Sequence, residues 1–178
     1  MKANDLISRY RSADSIPPMP ALDGLNEVNW SAVEDAYGPA NDLPALLRAL
    51  VSDDPEHREF ACVSLYQAIW HQGNVYSASA AAIPFLYKLL ETEGLHDKET
   101  VAGLIGLIAD GTPSFAHCES DMQAAAEWRA ILGKSGESLE AKIAEGKLVT
   151  AEIQRQLAMR PDLLSQCMGS GPYDPNDE

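Results

Sequence analysis

Cysteine is scarce in this chain: Cys62, Cys118 and Cys167 are its only three. An odd number at such wide spacing makes no disulfide framework and no metal-ligand pattern, and it points to a reducing compartment. Long apolar runs are missing as well. The opening MKANDLISRYRSADS has no apolar stretch of signal-peptide length, and no window approaches the roughly 18 apolar residues of a membrane span. The expectation is a soluble, cytoplasmic protein. Cations are few, 13 Lys plus Arg against 27 Asp plus Glu, for a formal net charge of −14. Such a chain repels the phosphate backbone, which argues against nucleic-acid binding. It attracts basic proteins, whose association is accelerated by complementary charge. The simpler reading of the same charge is solubility.

Strand-like alternation is also absent; from Trp30 onward every segment has helical period. With 178 residues and 46% hydrophobic side chains, the chain has material for one core. A short helix is expected over Asp5 to Ser12, then an extended connector, SIPPMPALDG, whose prolines cannot sit inside a helix. Four apolar stripes follow. They are Leu43, Leu46, Leu47, Leu50; then Cys62, Leu65, Tyr66, Ile69; then Ile83, Leu86, Leu89, Leu90; and finally Val101, Leu104, Ile105, Ile108. Pro55 suits a first helical turn, and Asp97 suits a cap.

Two of these units align without a gap. LPALLRALVSDDPEHREFACVSL from Leu43 and IPFLYKLLETEGLHDKETVAGLI from Ile83 match Pro44 with Pro84, Leu46 with Leu86, Leu50 with Leu90 and Glu59 with Glu99. A period of about 40 residues with two helices per unit is the mark of a HEAT or armadillo-type array. YGPANDLPALLRALVSDD and LYQAIWHQGNVYSASAAAIPFLYKLLE further resemble bacterial HEAT-repeat proteins that carry a YG-A-D-P segment and a HQG-VY-A-A-A-PFL segment. The resemblance spans roughly Trp30 to Asp110. It implies an all-α fold, a short HEAT-like right-handed helical solenoid, often a protein-binding one. Such a fold identifies no ligand by itself.

After Gly111 the repeat fades. GTPSFAHCES reads as a loop, and Asp121 to Leu132 as a helix with Ala125, Trp128 and Leu132 inward. GKSG reads as an interruption, and Val149, Ile153 and Leu157 as the face of a last helix ending at Arg160-Pro161. These helices would cap the array. The expected organisation is an N-terminal helix and connector over 1–28, the repeat domain over 29–165 and a flexible acidic tail over 166–178.

Candidate chemistry is sparse. His71 precedes Gly73 and reads as the C-terminal residue of a helix, where the dipole favours it; no serine or cysteine beside it has the setting of a nucleophile. His117, Cys118, Glu119 and Asp121 are the one local concentration of metal-ligand types, on a loop expected to share a rim with His71. Glu34-Asp35, Asp53-Asp54 and Asp97-Glu99 read as helix starts and solvated faces, and GKSG lacks the first glycine of a phosphate loop because Trp128 stands in its place. Ala78, Ala80, Ala81 and Ala82 on one helix, with Ala102, Gly103, Gly106 and Ala109 on the next, are expected to let those two helices approach closely. No catalytic residue, metal or cofactor is expected. The expected role is a non-catalytic protein-binding module for a basic partner, such as an inhibitor or immunity protein of a basic toxin. The alternatives are a DNA glycosylase-type enzyme, which the acidic balance disfavours, and a structural subunit of a complex. Partner contacts are expected at Trp30, Tyr37, Asp53, Asp54, Trp70, His71 and Tyr76, which combine aromatic anchors with acidic charge near repeat edges.

Overall fold

The structure, a computed structural model, describes residues 3–168. Helix dominates among them, in eight segments: α1 (Ala3–Tyr10), α2 (Leu43–Ala49), α3 (Pro55–Ile69), α4 (Ser77–Glu91), α5 (Lys98–Asp110), α6 (Met122–Leu132), α7 (Leu139–Leu157) and α8 (Pro161–Cys167). Their starts follow from local chemistry. Pro44, Pro55 and Pro161 stand in first turns, where a missing N–H removes no helical bond. The carboxylates of Asp54 and Asp121 and the hydroxyl of Ser138 accept first-turn N–H groups of α3, α6 and α7. Asp97 does not cap α5. It sits at that position with φ of 50°, and its carboxylate takes the Arg58 guanidinium of α3 instead.

Helix throughout from Trp30 does not hold. Five two-residue strands interrupt it: β1 (Glu34–Asp35), β2 (Gly38–Pro39), β3 (Trp70–His71), β4 (Asn74–Val75) and β5 (Thr112–Pro113). β1 and β2 form one antiparallel hairpin; β3 and β4 form another, and β5 joins β4 in parallel. Gln72 and Gly73, at φ of 52° and 85°, reverse the chain between β3 and β4 in the manner of a primed hairpin turn. Strands this short alternate too briefly to leave a periodic trace. Glu34 and Asp35 are thus strand residues and not a helix start.

The C-terminal part departs from expectation once more. α7 ends at Leu157 with Ala158 as its C-cap, and Arg160, the residue before Pro161, is outside the helical region at φ of −137° and ψ of 66°. Pro161 then opens α8, which carries Gln166 and Cys167 past the expected start of the tail. Residues 169–178, the rest of that expected tail, lie outside the described residues.

The core forms one main cluster. Leu6 and Tyr10 of α1, Leu22 of the proline-rich segment and Leu25 and Trp30 just after it join Leu47, Leu65, Ile83, Leu86, Ile105 and Ile108. At its centre lies α4, with ten of its fifteen residues buried. It packs against α5, α7, β1 and the 3-10 turn Pro20–Leu22, and runs unbroken through Pro84. A smaller cluster of Cys118, Ala125, Leu132 and Leu139 holds α6, with Trp128 partly buried against it. Gly106 of α5 makes room for α8 rather than α4: a Cβ there would stand 3.3 Å from the Cys167 carbonyl oxygen.

The two aligned units correspond to the neighbouring pairs α2/α3 and α4/α5, but their limits differ. Pro44 opens α2 whereas Pro84 lies inside α4, and α5 starts later than the counterpart of Pro55. The hairpin of β3 and β4 falls between the two aligned windows.

Beneath α1, polar groups are buried and mutually satisfied. The Tyr10 hydroxyl stands 2.6 Å from Ser52 Oγ and 2.8 Å from His57 Nδ1. Arg48, 3% exposed, donates to the carbonyls of Tyr10 and Arg11 and to the Asn26 amide oxygen. Burial holds its pKa below the usual arginine value. Removing one member of such a network strands the others. Tyr10→Phe is expected to lower stability by about 1–3 kcal/mol in urea denaturation, with an unchanged slope. Gly111→Ala tests the other end of the core. A Cβ there would lie 2.3 Å from Val75 Cγ1, and the expected loss, by the same measurement, is about 1–3 kcal/mol.

Candidate functional site

The corner where α3 gives way to α4 is built by three polar side chains. Ser79, fully buried, accepts the Tyr76 N–H at 2.8 Å and donates to the Ile69 carbonyl at 2.6 Å, joining the start of α4 to the end of α3. Ser77 Oγ accepts the Glu34 N–H at 2.8 Å, and the Ala36 N–H bonds the Ala68 carbonyl at 3.0 Å, so the β1–β2 hairpin is pinned onto the same corner. The Asp35 carboxylate accepts from the N–H groups of Tyr37 (2.8 Å) and Gly38, which shapes the tip of that hairpin. Gly38 has φ of 125°, a conformation that a side chain would strain.

This pinning presents Tyr37. It is 69% exposed, and its ring lies 5.7 Å from that of His71, edge to face. His71 is a strand residue in β3 and not the end of a helix: α3 stops at Ile69 with Trp70 as its C-cap. Tyr76 stands half-buried beside them with its phenol bonded to the Ser114 side chain, and burial raises its pKa. Burial also raises the Asp35 carboxyl above its ordinary value, against the pull of its two N–H donors; nearby Asp42 adds to the rise.

A cleft of about 130 Å3 opens next to this corner, between Asp35, Tyr76, Ser114, Phe115 and the α7 residues Lys142 and Glu145. The Lys142 ammonium lies 3.5 Å from Glu137 and 3.6 Å from Glu145. Burial works against its charge, yet Glu145, Glu34 and Glu137 together raise its pKa.

The expected contact residues divide between two ends. Tyr37, Trp70, His71 and Tyr76 come together at this corner. Trp70 is half-buried, packs on Tyr66 at 5.1 Å, and its indole N–H meets no acceptor among the described residues. Trp30 does not reach the surface. It is 6% exposed, donates its indole N–H to the Leu25 carbonyl at 2.7 Å and packs on Phe85. Asp53 and Asp54 lie at the opposite end of α3, roughly 22 Å away for fifteen residues at 1.5 Å each. There they edge a cavity of about 380 Å3 with Arg9, Tyr10, Ser52 and His96. Asp54 also faces His57, 3.6 Å from its Nε2.

The 111–120 loop does meet the His71 hairpin, through β5. Its metal-ligand types do not converge: Glu119 pairs with Lys147 at 2.6 Å, and the His117 ring stands 3.5 Å from Cys118 Sγ. Among the described residues, no group of three or more His, Cys, Asp or Glu is placed to hold a metal ion. No described helix is long and apolar enough to cross a membrane.

Sequence reasoning passed over Asp35, Ser114, Lys142 and Glu145 as parts of one site. An aspartate followed by Ala-Tyr-Gly carries an Asx-turn signal, so Asp35 was within reach. The others come from distant segments and leave no local trace. Comparison of the chain with protein-family models, curated proteins and solved structures gives no match.

The raised Asp35 pKa has a definite consequence. Between its ordinary pKa and its folded one, the folded state holds more proton than the unfolded state, so this group's contribution to stability falls as pH rises. Asp35→Asn keeps an oxygen for the two N–H donors and has no such slope. Urea unfolding from about pH 4 to 7 is expected to show the Asn chain gaining on the wild type as pH rises.

Proposed function

We propose that the chain is a non-catalytic protein-binding module of HEAT-like architecture that engages a basic protein through the corner at Tyr37. The observation that carries this reading is Tyr37 itself. It is a strongly exposed aromatic side chain, held on a short pinned hairpin beside the Asp35 carboxylate and the His71 ring. Interface energy concentrates in such aromatic anchors, and a rigid anchor loses little entropy on binding. Its acidic surroundings, in a chain of net charge −14, suit a basic partner.

The HEAT-like reading is supported by the succession of helix pairs. The pair α2/α3 is followed by α4/α5, with Arg58 and Asp97 bridging the two, and then by α7/α8, whose members pack on α4 and α5 respectively. A right-handed solenoid would place the connectors between pairs along one edge, and the Tyr37 and His71 hairpins would belong to it. Inhibition of a basic toxin, in the manner of an immunity protein, is a role such an edge would serve. In that role binding energy is spent on blocking a surface, and no nucleophile or metal is needed.

Affinity capture from the native host, with mass spectrometry and kinetics on the captured protein, tests this. The expected partner is basic; Tyr37→Ala weakens it at least tenfold, about 1.4 kcal/mol. Added salt slows association more than it speeds release. Asp53→Asn, at the far end of α3, leaves the affinity within twofold. An acidic or nucleic-acid partner, or affinity indifferent to Tyr37, overturns the reading.

A further inference from the structure

We infer that the cleft between Tyr76 and α7 is an arginine slot: it accepts one arginine side chain from the basic partner, whose guanidinium meets the carboxylates of Asp35, Glu34 and Glu145. This deepens the protein-binding reading above and rests on it. Size makes the first argument. At about 130 Å3 the cleft is well below the roughly 300–1,000 Å3 of small-molecule sites, and it suits a single long side chain.

Chemistry makes the second. Val75, Pro113 and Val149 contribute apolar walls, while Glu34, Asp35 and Glu145 stand around the cleft with Lys142 as the one cation among the described residues lining it. An apolar cleft with an excess of carboxylates takes a side chain that is apolar along its stem and cationic at its tip. Arginine is favoured over lysine because Tyr76 and Phe115 line the cleft with aromatic rings, and a planar, weakly hydrated guanidinium stacks on such rings better than an ammonium does. The walls are held in place: the Tyr76 phenol is tied to Ser114, and Phe115 packs edge to face on Trp128 at 5.0 Å. The partly desolvated Asp35 carboxylate gains from an incoming cation what burial has taken from it.

Lys142 gives the third argument. Its ammonium lies among Glu34, Glu137 and Glu145, on a side chain that is 29% exposed, so the chain already places a cation of its own at this position. A partner's guanidinium would compete with that ammonium for Glu145. Surface pairs of this kind contribute little to stability, so changing them leaves the fold intact.

The test uses the full chain, isotope-labelled, with Nα-acetyl-argininamide as the probe and backbone amide shifts as the readout. Saturable shifts are expected at Tyr76, Ser114 and Gly146. Nα-acetyl-lysinamide should bind at least fivefold more weakly, and the norleucine analogue should not saturate. Asp35→Asn combined with Glu145→Gln should weaken the arginine probe at least tenfold, whereas Lys142→Met should tighten it severalfold by removing the competing cation. Equal response to norleucine, no saturation, or indifference to the carboxylate variants overturns the slot. A basic partner that depends on Tyr37 but ignores Glu145→Gln would sink the slot and leave the protein-binding reading standing. Probe binding with no basic partner would do the reverse.

Discussion

A helix buried on nearly every side has to be enclosed, and α4 imposes that constraint on the rest of the chain. Its sequence, SASAAAIPFLYKLLE, has small residues in its first half and large apolar ones in its second, so no face of it suits water well. Enclosure requires neighbours from distant parts of the chain. The turn Pro20–Leu22 comes from the N-terminal segment, β1 from the stretch before α2, α5 from the adjoining unit and α7 from the C-terminal part. The proline-rich segment is packed rather than extended in solvent because Ala21 and Leu22, with Leu25 and Trp30 just after it, lie in the main core.

Enclosing α4 brings polar backbone into the interior at its N-terminus, and those groups need partners. Ser79 and Ser77 supply them through hydroxyls that bond the end of α3 and the strand β1. The short strands complete the accounting, with Thr112 N–H bonding the Gly73 carbonyl at 2.9 Å. The corner is therefore held in place by the demands of burial, and that fixity is what would suit Tyr37 to the proposed role of anchor. Structure and proposed function share one cause here.

The far end of α3 solves a different problem. Arg48 is buried against neutral oxygens, the carbonyls of Tyr10 and Arg11 and the Asn26 amide oxygen, and it fastens α2 to the end of α1 and to Asn26. Tyr10, Ser52 and His57 interlock beside it. These groups resemble catalytic machinery in composition, yet each is engaged in joining α1 to the α2–α3 turn. Their arrangement is that of a satisfied polar network, whose contribution is to fix one packing of α1 over the alternatives.

Local chemistry was legible in the residues alone. Helical period, Pro44 and Pro55 in first turns, and Asp54 beside Pro55 depend on near neighbours, so the helices and many of their limits follow from the chain. Net charge, too, needs no fold. Pro161 is the instructive exception: proline ends one helix and opens the next with equal ease, and the chain alone does not say which act is final. What meets what was decided by tertiary structure. The Tyr37 ring reaches His71 only because Ser77 and Ala68 hold the β1–β2 hairpin against the end of α3. Trp30 went to the core, against Phe85, and Tyr37 to the surface, although both are aromatic and near in sequence. Lys142 joined the carboxylates of the corner because α7 packs on α4, a contact set by shape complementarity between helices far apart in the chain. Periodicity tells a residue which face of its own helix it occupies; only close packing tells it which other face it will meet.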